Sequence, residues 1–203
     1  MVRLIFSLSL FGLVGCQFSG DQRHHEDYAY WSAANQDGSW TSVAEKAVRA
    51  TSLPQSEPGD ILSYCIEYPG LGTDDRVRFW VGLLSAMAEH ESDLDPQTKF
   101  AESLRDSRGQ PVVSRGLLQL SIESANQARY SCQIDNANEL HDPSTNIECA
   151  AKILSTWVSS DGVIAASSDG YRGGARYWSV LRSNRDSSTD IQSATRKLRF
   201  CAG

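Results

Sequence analysis

Between residues 75 and 91, apolar side chains recur at steps of three and four: Val77, Trp80, Leu84 and Met87. That spacing marks an α-helix with one face against a core. The next position on the stripe is Glu91. A carboxylate therefore sits on the core-facing edge, at the C-terminal end of the longest helix the sequence predicts. Burial disfavours the charged form of a carboxylate, and so does the negative end of a helix dipole. Both raise the pKa, as a general acid working near neutral pH requires. Glu89 lies off the stripe and is expected to be solvated. On the helix alone, pairing with an arginine or capping of backbone competes with catalysis as the role of Glu91.

Around this helix the pattern is mainly helical. Short helices are expected over 41–50 and 60–66, with a proline-bearing loop between them and a turn over 70–75 that supplies a helix N-cap. Residues 95–115 are polar and turn-rich. The Arg108-Gly109 turn and Val112-Val113 predict a small β-hairpin there. Ser121 caps a helix reaching about 130. Asp142-Pro143 opens another, with an N-cap followed by proline at the first helical position. Its apolar face is Ile147, Ala150, Ala151, Leu154 and Trp157. Further short helices are expected at 174–181 and 189–199. The fold class is α+β, mainly helical, with one small hairpin between helices. Trp157, Tyr177 and Trp178 are aromatics of the kind that stack on sugars, although such residues are more often core, and no site role is assigned to them.

The 203 residues carry a formal net charge of −6, and 40% are hydrophobic, enough for a real core. No basic stripe appears, which argues against nucleic acid as a partner. Residues 1–15 read as a signal segment: Arg3, then an apolar run from Leu4 to Val14 that suits an export signal better than a membrane span. Leu13-Val14-Gly15-Cys16 resembles a lipobox, which makes Cys16 the expected lipidation site and membrane attachment point. Residues 16–39 read as a polar tether, and 40–203 as one domain. His24 and His25 fall in the tether.

Five cysteines are odd for an exported chain. With Cys16 lipidated, Cys65, Cys132, Cys149 and Cys201 form an even set suited to disulfides. Four cysteines allow three pairings. The short stretch between Cys132 and Cys149 favours that pair, leaving Cys65 with Cys201. The spacings match no zinc site, and no metal or cofactor is expected.

Glu91-Ser92-Asp93-Leu94-Asp95-Pro96 resembles the Glu-Ser-Gly-Phe-Asn-Pro segment of the soluble lytic transglycosylases, relatives of goose-type lysozyme. Gly116-Leu117-Leu118-Gln119-Leu120 resembles that family's Gly-Leu-Met-Gln-Leu segment. Asp142-Pro143, Asn146-Ile147 and the following Ala150-Ala151 and Ile153-Leu154 are similar to its next helix. The three stretches stand in the family's order. Tyr171 resembles a tyrosine of a later Ala-Tyr-Asn-x-Gly segment, although Arg172 replaces the asparagine.

The resemblance implies a lysozyme-like fold that cuts peptidoglycan between N-acetylmuramic acid and N-acetylglucosamine. It implies that Glu91 is the lone catalytic acid and base. Ser92, Gln119 and Tyr171 would be the substrate-side residues: Ser92 holding local geometry, Gln119 lining the sugar cleft. Gly116 would permit close backbone packing. The implied chemistry is lytic transglycosylation, in which the sugar's own C6 hydroxyl attacks C1 and leaves a 1,6-anhydro end. The alternative is lysozyme-type hydrolysis, including that of a deacetylated glycan. Hydrolysis needs a second acid, for which Asp93, Asp95 and Asp106 are candidates. A non-catalytic wall-binding module is a further alternative, disfavoured by the glutamate on the apolar stripe. The expected state is a monomer, exported and facing the periplasm or cell exterior.

Overall fold

The computed structural model describes residues 28–202. The signal segment, Cys16 and the first part of the tether lie outside the described residues. The α-helices are α1 (Ser39–Arg49), α2 (Thr73–Ser92), α3 (Ile122–Ala125), α4 (Pro143–Asp161) and α5 (Asp186–Arg196). The strands are β1 (Lys99–Arg105), β2 (Pro111–Arg115), β3 (Ala165–Ala166) and β4 (Arg172–Gly173). β1 and β2 pair antiparallel, as do the two-residue strands β3 and β4. The architecture is mainly helical α+β, with the expected hairpin between α2 and the later helices.

α2 is more deeply buried than one apolar stripe requires. Every residue from Phe79 to Ala88 is buried, because α1, α4 and α5 all pack against it. Each such apolar side chain contributes roughly 1.5–3 kcal/mol when fully removed from water. Close approach has a visible cause at Gly82, where a Cβ would lie 2.8 Å from a Leu198 methyl and 3.0 Å from the Tyr28 carbonyl oxygen.

That contact also moves the start of the domain. Residues 28–39 do not behave as tether: Tyr28, Ala29 and Trp31 belong to the core. The Tyr30 backbone N–H donates to Ser85 Oγ at 2.9 Å, and the Trp31 indole donates to Thr41 Oγ1 at 3.0 Å. The packed body therefore reaches back to at least Tyr28, twelve residues before the expected boundary at 40. This segment packs by individual aromatic anchors, so it shows no helical period.

Capping explains the helix boundaries. Asp142 accepts from the Thr145 N–H at 2.8 Å with Pro143 in the first turn, and Gly162 ends α4 at φ 68°. Ser121 caps α3 as expected, but the helix stops at Ala125. The Asn126 side chain donates to the Ile134 carbonyl and accepts from its N–H, clamping the chain into a loop. The stretch expected as a helix at 174–181 is instead two single 3-10 turns, Gly174–Arg176 and Ser179–Leu181.

Two disulfides close the fold, Cys132 with Cys149 and Cys65 with Cys201. The first ties the loop after α3 to α4. The second joins the segment before α2 to the C-terminus across 136 residues.

Candidate active site

The turn Gly116–Gln119 is held from three directions. At the end of α2, the Ser92 hydroxyl contacts the Leu117 carbonyl at 2.9 Å and the Ala88 carbonyl at 3.0 Å. From α4, the fully buried Asn146 accepts from the Leu118 N–H at 2.8 Å and donates to the Arg115 and Leu140 carbonyls. The Trp178 indole donates to the Leu118 carbonyl at 2.9 Å. Gly116 has φ 75°, and a Cβ there would lie 2.0 Å from the Leu140 carbonyl oxygen. Only glycine fits that backbone and that space.

This clamp fixes one wall of a cleft of about 470 Å³. Glu91 lines it from the end of α2, and Glu102, Ser103, Leu104, Val112 and Ser114 line it from the hairpin. Ser121, Tyr130, Trp157, Arg176, Tyr177 and Arg182 complete much of the remaining wall. A second hollow of about 510 Å³ lies between residues 28–33 and 197–200, but its lining holds no carboxylate.

Glu91 is half-buried in the cleft. Burial is the main cause that pushes its carboxyl up, and the neighbouring charge of Glu102 adds to it. A hydrogen bond from the Val180 backbone and the charge of Arg182 pull the other way, and the result is a pKa of about 7. Near neutral pH this group is thus present in both forms, able to give and take a proton. Glu102 accepts from the Ser114 hydroxyl at 2.8 Å, which holds it in place on β1.

The other residues singled out by sequence fall in different places. Gln119 lines the cleft at φ 45°, an uncommon conformation for a residue with a side chain. Its amide nitrogen donates to the Thr98 and Gly116 carbonyls, while its buried Oε1 has no partner among the described residues. Ser92 is buried, with its hydroxyl engaged by backbone, and is absent from the cleft lining. Its hydroxyl holds the Leu117 carbonyl, within the turn that carries Gln119. Tyr171 is 45% exposed and also lies outside the lining; the Arg182 guanidinium stacks on its ring at 4.0 Å and reaches the cleft in its place.

None of the three aspartates considered as second acids lines the cleft. Asp93 ends α2 in a left-handed conformation. Asp95 accepts from the Gln97 N–H. Asp106 organises the hairpin turn, accepting from the Arg108 and Gln110 backbone N–H groups, which hold its carboxyl below the usual range. The carboxylate that does share the cleft with Glu91 is Glu102, which no sequence pattern marked. Among the described residues, no group of three His, Cys, Asp or Glu side chains is placed to hold a metal ion. No helix among them is long and apolar enough to cross a membrane.

Residues 73–192 match the family model described as the transglycosylase SLT domain. Among curated proteins, no sequence matches this one. Solved structures of Bd0314 DslA are similar. A glutamate-to-glutamine mutant has 38% identity and a TM-score of 0.81, with 87% of this chain and 98% of that chain covered. The wild-type form 2 has 38% identity and a TM-score of 0.80, with 85% and 97% covered. A second glutamate-to-glutamine mutant, at a position eleven residues further along that protein, gives the same values as form 2. The match over α2 to α5, together with this likeness over nearly the whole length of DslA, establishes that the chain belongs to the SLT transglycosylase family of the lysozyme-like superfamily.

Proposed function

We propose that this protein cuts the β-1,4 bond between N-acetylmuramic acid and N-acetylglucosamine in peptidoglycan, with Glu91 as acid and then base. The observation that carries the reading is the half-buried carboxyl of Glu91, raised to about 7, facing an open cleft with polar walls. Protonated Glu91 gives its proton to the glycosidic oxygen as the bond to C1 breaks. The substrate's N-acetyl group stabilises the positive charge at C1. Glu91 then takes the proton of the C6 hydroxyl, whose oxygen attacks C1 to close a 1,6-anhydro ring. The attack is intramolecular, so proximity supplies a large share of the rate. The unpartnered Oε1 of Gln119 offers an acceptor for a substrate N–H or O–H. Digestion in water enriched in heavy oxygen tests the chemistry: anhydro ends without label are expected, and labelled reducing ends contradict it.

Glu102 favours a second reading, lysozyme-type hydrolysis. It gives the cleft a second carboxylate, as two-acid hydrolysis requires for placing water. Its separation from Glu91, eleven residues, equals that between the two glutamates replaced in the DslA mutants. The same negative charge suits an amino sugar whose acetyl group has been removed, because the freed amine is a cation. Rates on deacetylated walls and on the same walls after chemical N-acetylation separate this preference from indifference to the acetyl group.

We also propose that the chain is exported as a lipoprotein anchored through Cys16 and works as a monomer on the wall-facing side of the membrane. The Leu13-Val14-Gly15-Cys16 sequence supports the anchor. Radiolabelled palmitate should enter the native chain and not the Cys16→Ser variant; a native chain that takes up no label removes the proposal.

A further inference from the structure

Two arginines gather on Trp157, a residue of the cleft wall. Tyr177, whose phenol feels the charge of Glu91, contacts Tyr130 at 6.3 Å, and Tyr130 contacts Trp157 at 6.2 Å. This line of rings leads from the catalytic carboxyl to two guanidinium groups on Trp157: Arg176 at 4.9 Å and Arg129 at 5.1 Å from the ring centre. Arg176 lines the cleft. Asp161 fixes it through two hydrogen bonds, from Nε at 2.6 Å and Nη2 at 3.2 Å. Its Nη1 has no hydrogen-bond partner among the described residues.

Asp161 does not neutralise this group. Arg172 also acts on it, donating to its backbone carbonyl at 2.8 Å. Arg129 has no carboxylate partner among the described residues. Arg176 and Arg172 thus share the Asp161 carboxylate, and Arg129 adds a further positive charge over Trp157, in a chain whose net charge is −6. A guanidinium over an indole, with one nitrogen left to donate, is suited to a planar anion.

Resting on the peptidoglycan reading above, we infer that Arg176 and Arg129 form a subsite for a carboxylate carried by the strand being cut. Two parts of the substrate carry such a group: the lactyl carboxylate of muramic acid stripped of peptide, and the carboxylates of an attached peptide stem. Trp157 is then a platform for the arginines rather than a sugar-stacking surface.

The test is calorimetric binding to the full chain bearing Glu91→Gln, which stops turnover. Three ligands are compared: a neutral chito-oligosaccharide, a peptide-free glycan fragment and a stem-bearing fragment. Arg129→Gln and, separately, Arg176→Gln are expected to weaken binding of an acidic fragment about tenfold and leave the neutral ligand unchanged. The fragment affected identifies which carboxylate is read. Among the described residues the Arg129 side chain makes no hydrogen bond, and only its backbone carbonyl accepts one, from Thr156, so its variant keeps the test independent of any disturbance around Asp161. Equal losses on neutral and acidic ligands, or no loss on either, overturn the subsite. Failure of the parent to bind all three overturns the peptidoglycan reading, and the subsite with it.

Discussion

Glu91, on the last turn of α2, and Glu102, on β1, face one cleft, and the charge of Glu102 reinforces the effect of burial on Glu91. The hairpin thereby tunes the helix-borne acid. If protonated Glu91 starts the reaction, kcat/KM should fall as pH rises through about 7. Glu102→Gln removes the repulsion but leaves the burial. The alkaline limb should then move to lower pH, which a pH–rate profile of the two proteins measures. An unmoved limb would show that Glu102 does not tune the acid.

The same shift has a stability consequence. The folded-state pKa of Glu91 lies above its ordinary value of 4.5. Its contribution is therefore fully present below about 4.5 and is lost as pH rises through about 7. Glu91→Gln removes this dependence. The variant should gain up to about 3 kcal/mol relative to wild type at pH 8, and almost nothing at pH 4. Denaturant titrations at the two pH values read the difference.

Gly116→Ala should be severe for a residue so small. The backbone is left-handed there, and the added Cβ meets the Leu140 carbonyl and Asn146 side chain. A loss of at least ~2 kcal/mol is expected, visible in the denaturation midpoint. Activity should fall as well, because the displaced turn carries Gln119.

The two disulfides should differ in weight. In the chain-entropy model, a loop such as that between Cys132 and Cys149 is worth about 3 kcal/mol, and a loop of over a hundred residues nearly 5 kcal/mol. Replacing Cys65 and Cys201 together by serine should lower the melting temperature more than replacing Cys132 and Cys149. A reversed order would mean that reduced-state structure, rather than loop length, sets the effect.

The elements that could be read from sequence are those whose signal is local. α2 announces itself by its period and α4 by Asp142-Pro143, because a cap and a helical face need only neighbouring residues. The hairpin is visible from its turn, where Asp106 and Gly109 meet local backbone demands. What was missed depends on contacts between distant segments. Asn126 reaches Ile134 and ends α3 early, and Trp31 packs without any period. Glu102 stands on a strand with almost every side chain exposed, and only the folding of that strand beside the end of α2 makes it part of the site. Glu91 was readable because helix geometry alone places it. Ser92 and Tyr171 were placed on the substrate side by motif alone; in the structure neither lines the cleft, Ser92 being held by backbone carbonyls and Tyr171 lying under Arg182.

The most direct test is turnover of purified peptidoglycan by the wild-type domain and by Glu91→Gln, with the soluble products weighed by mass spectrometry. The substitution keeps the side-chain shape and removes the titrating proton. Wild type should release muropeptides with 1,6-anhydro ends. The folded variant should release them at least ~10²-fold more slowly, the usual scale for loss of a general acid. Near-normal release by Glu91→Gln would contradict the assignment of Glu91 as the catalytic acid.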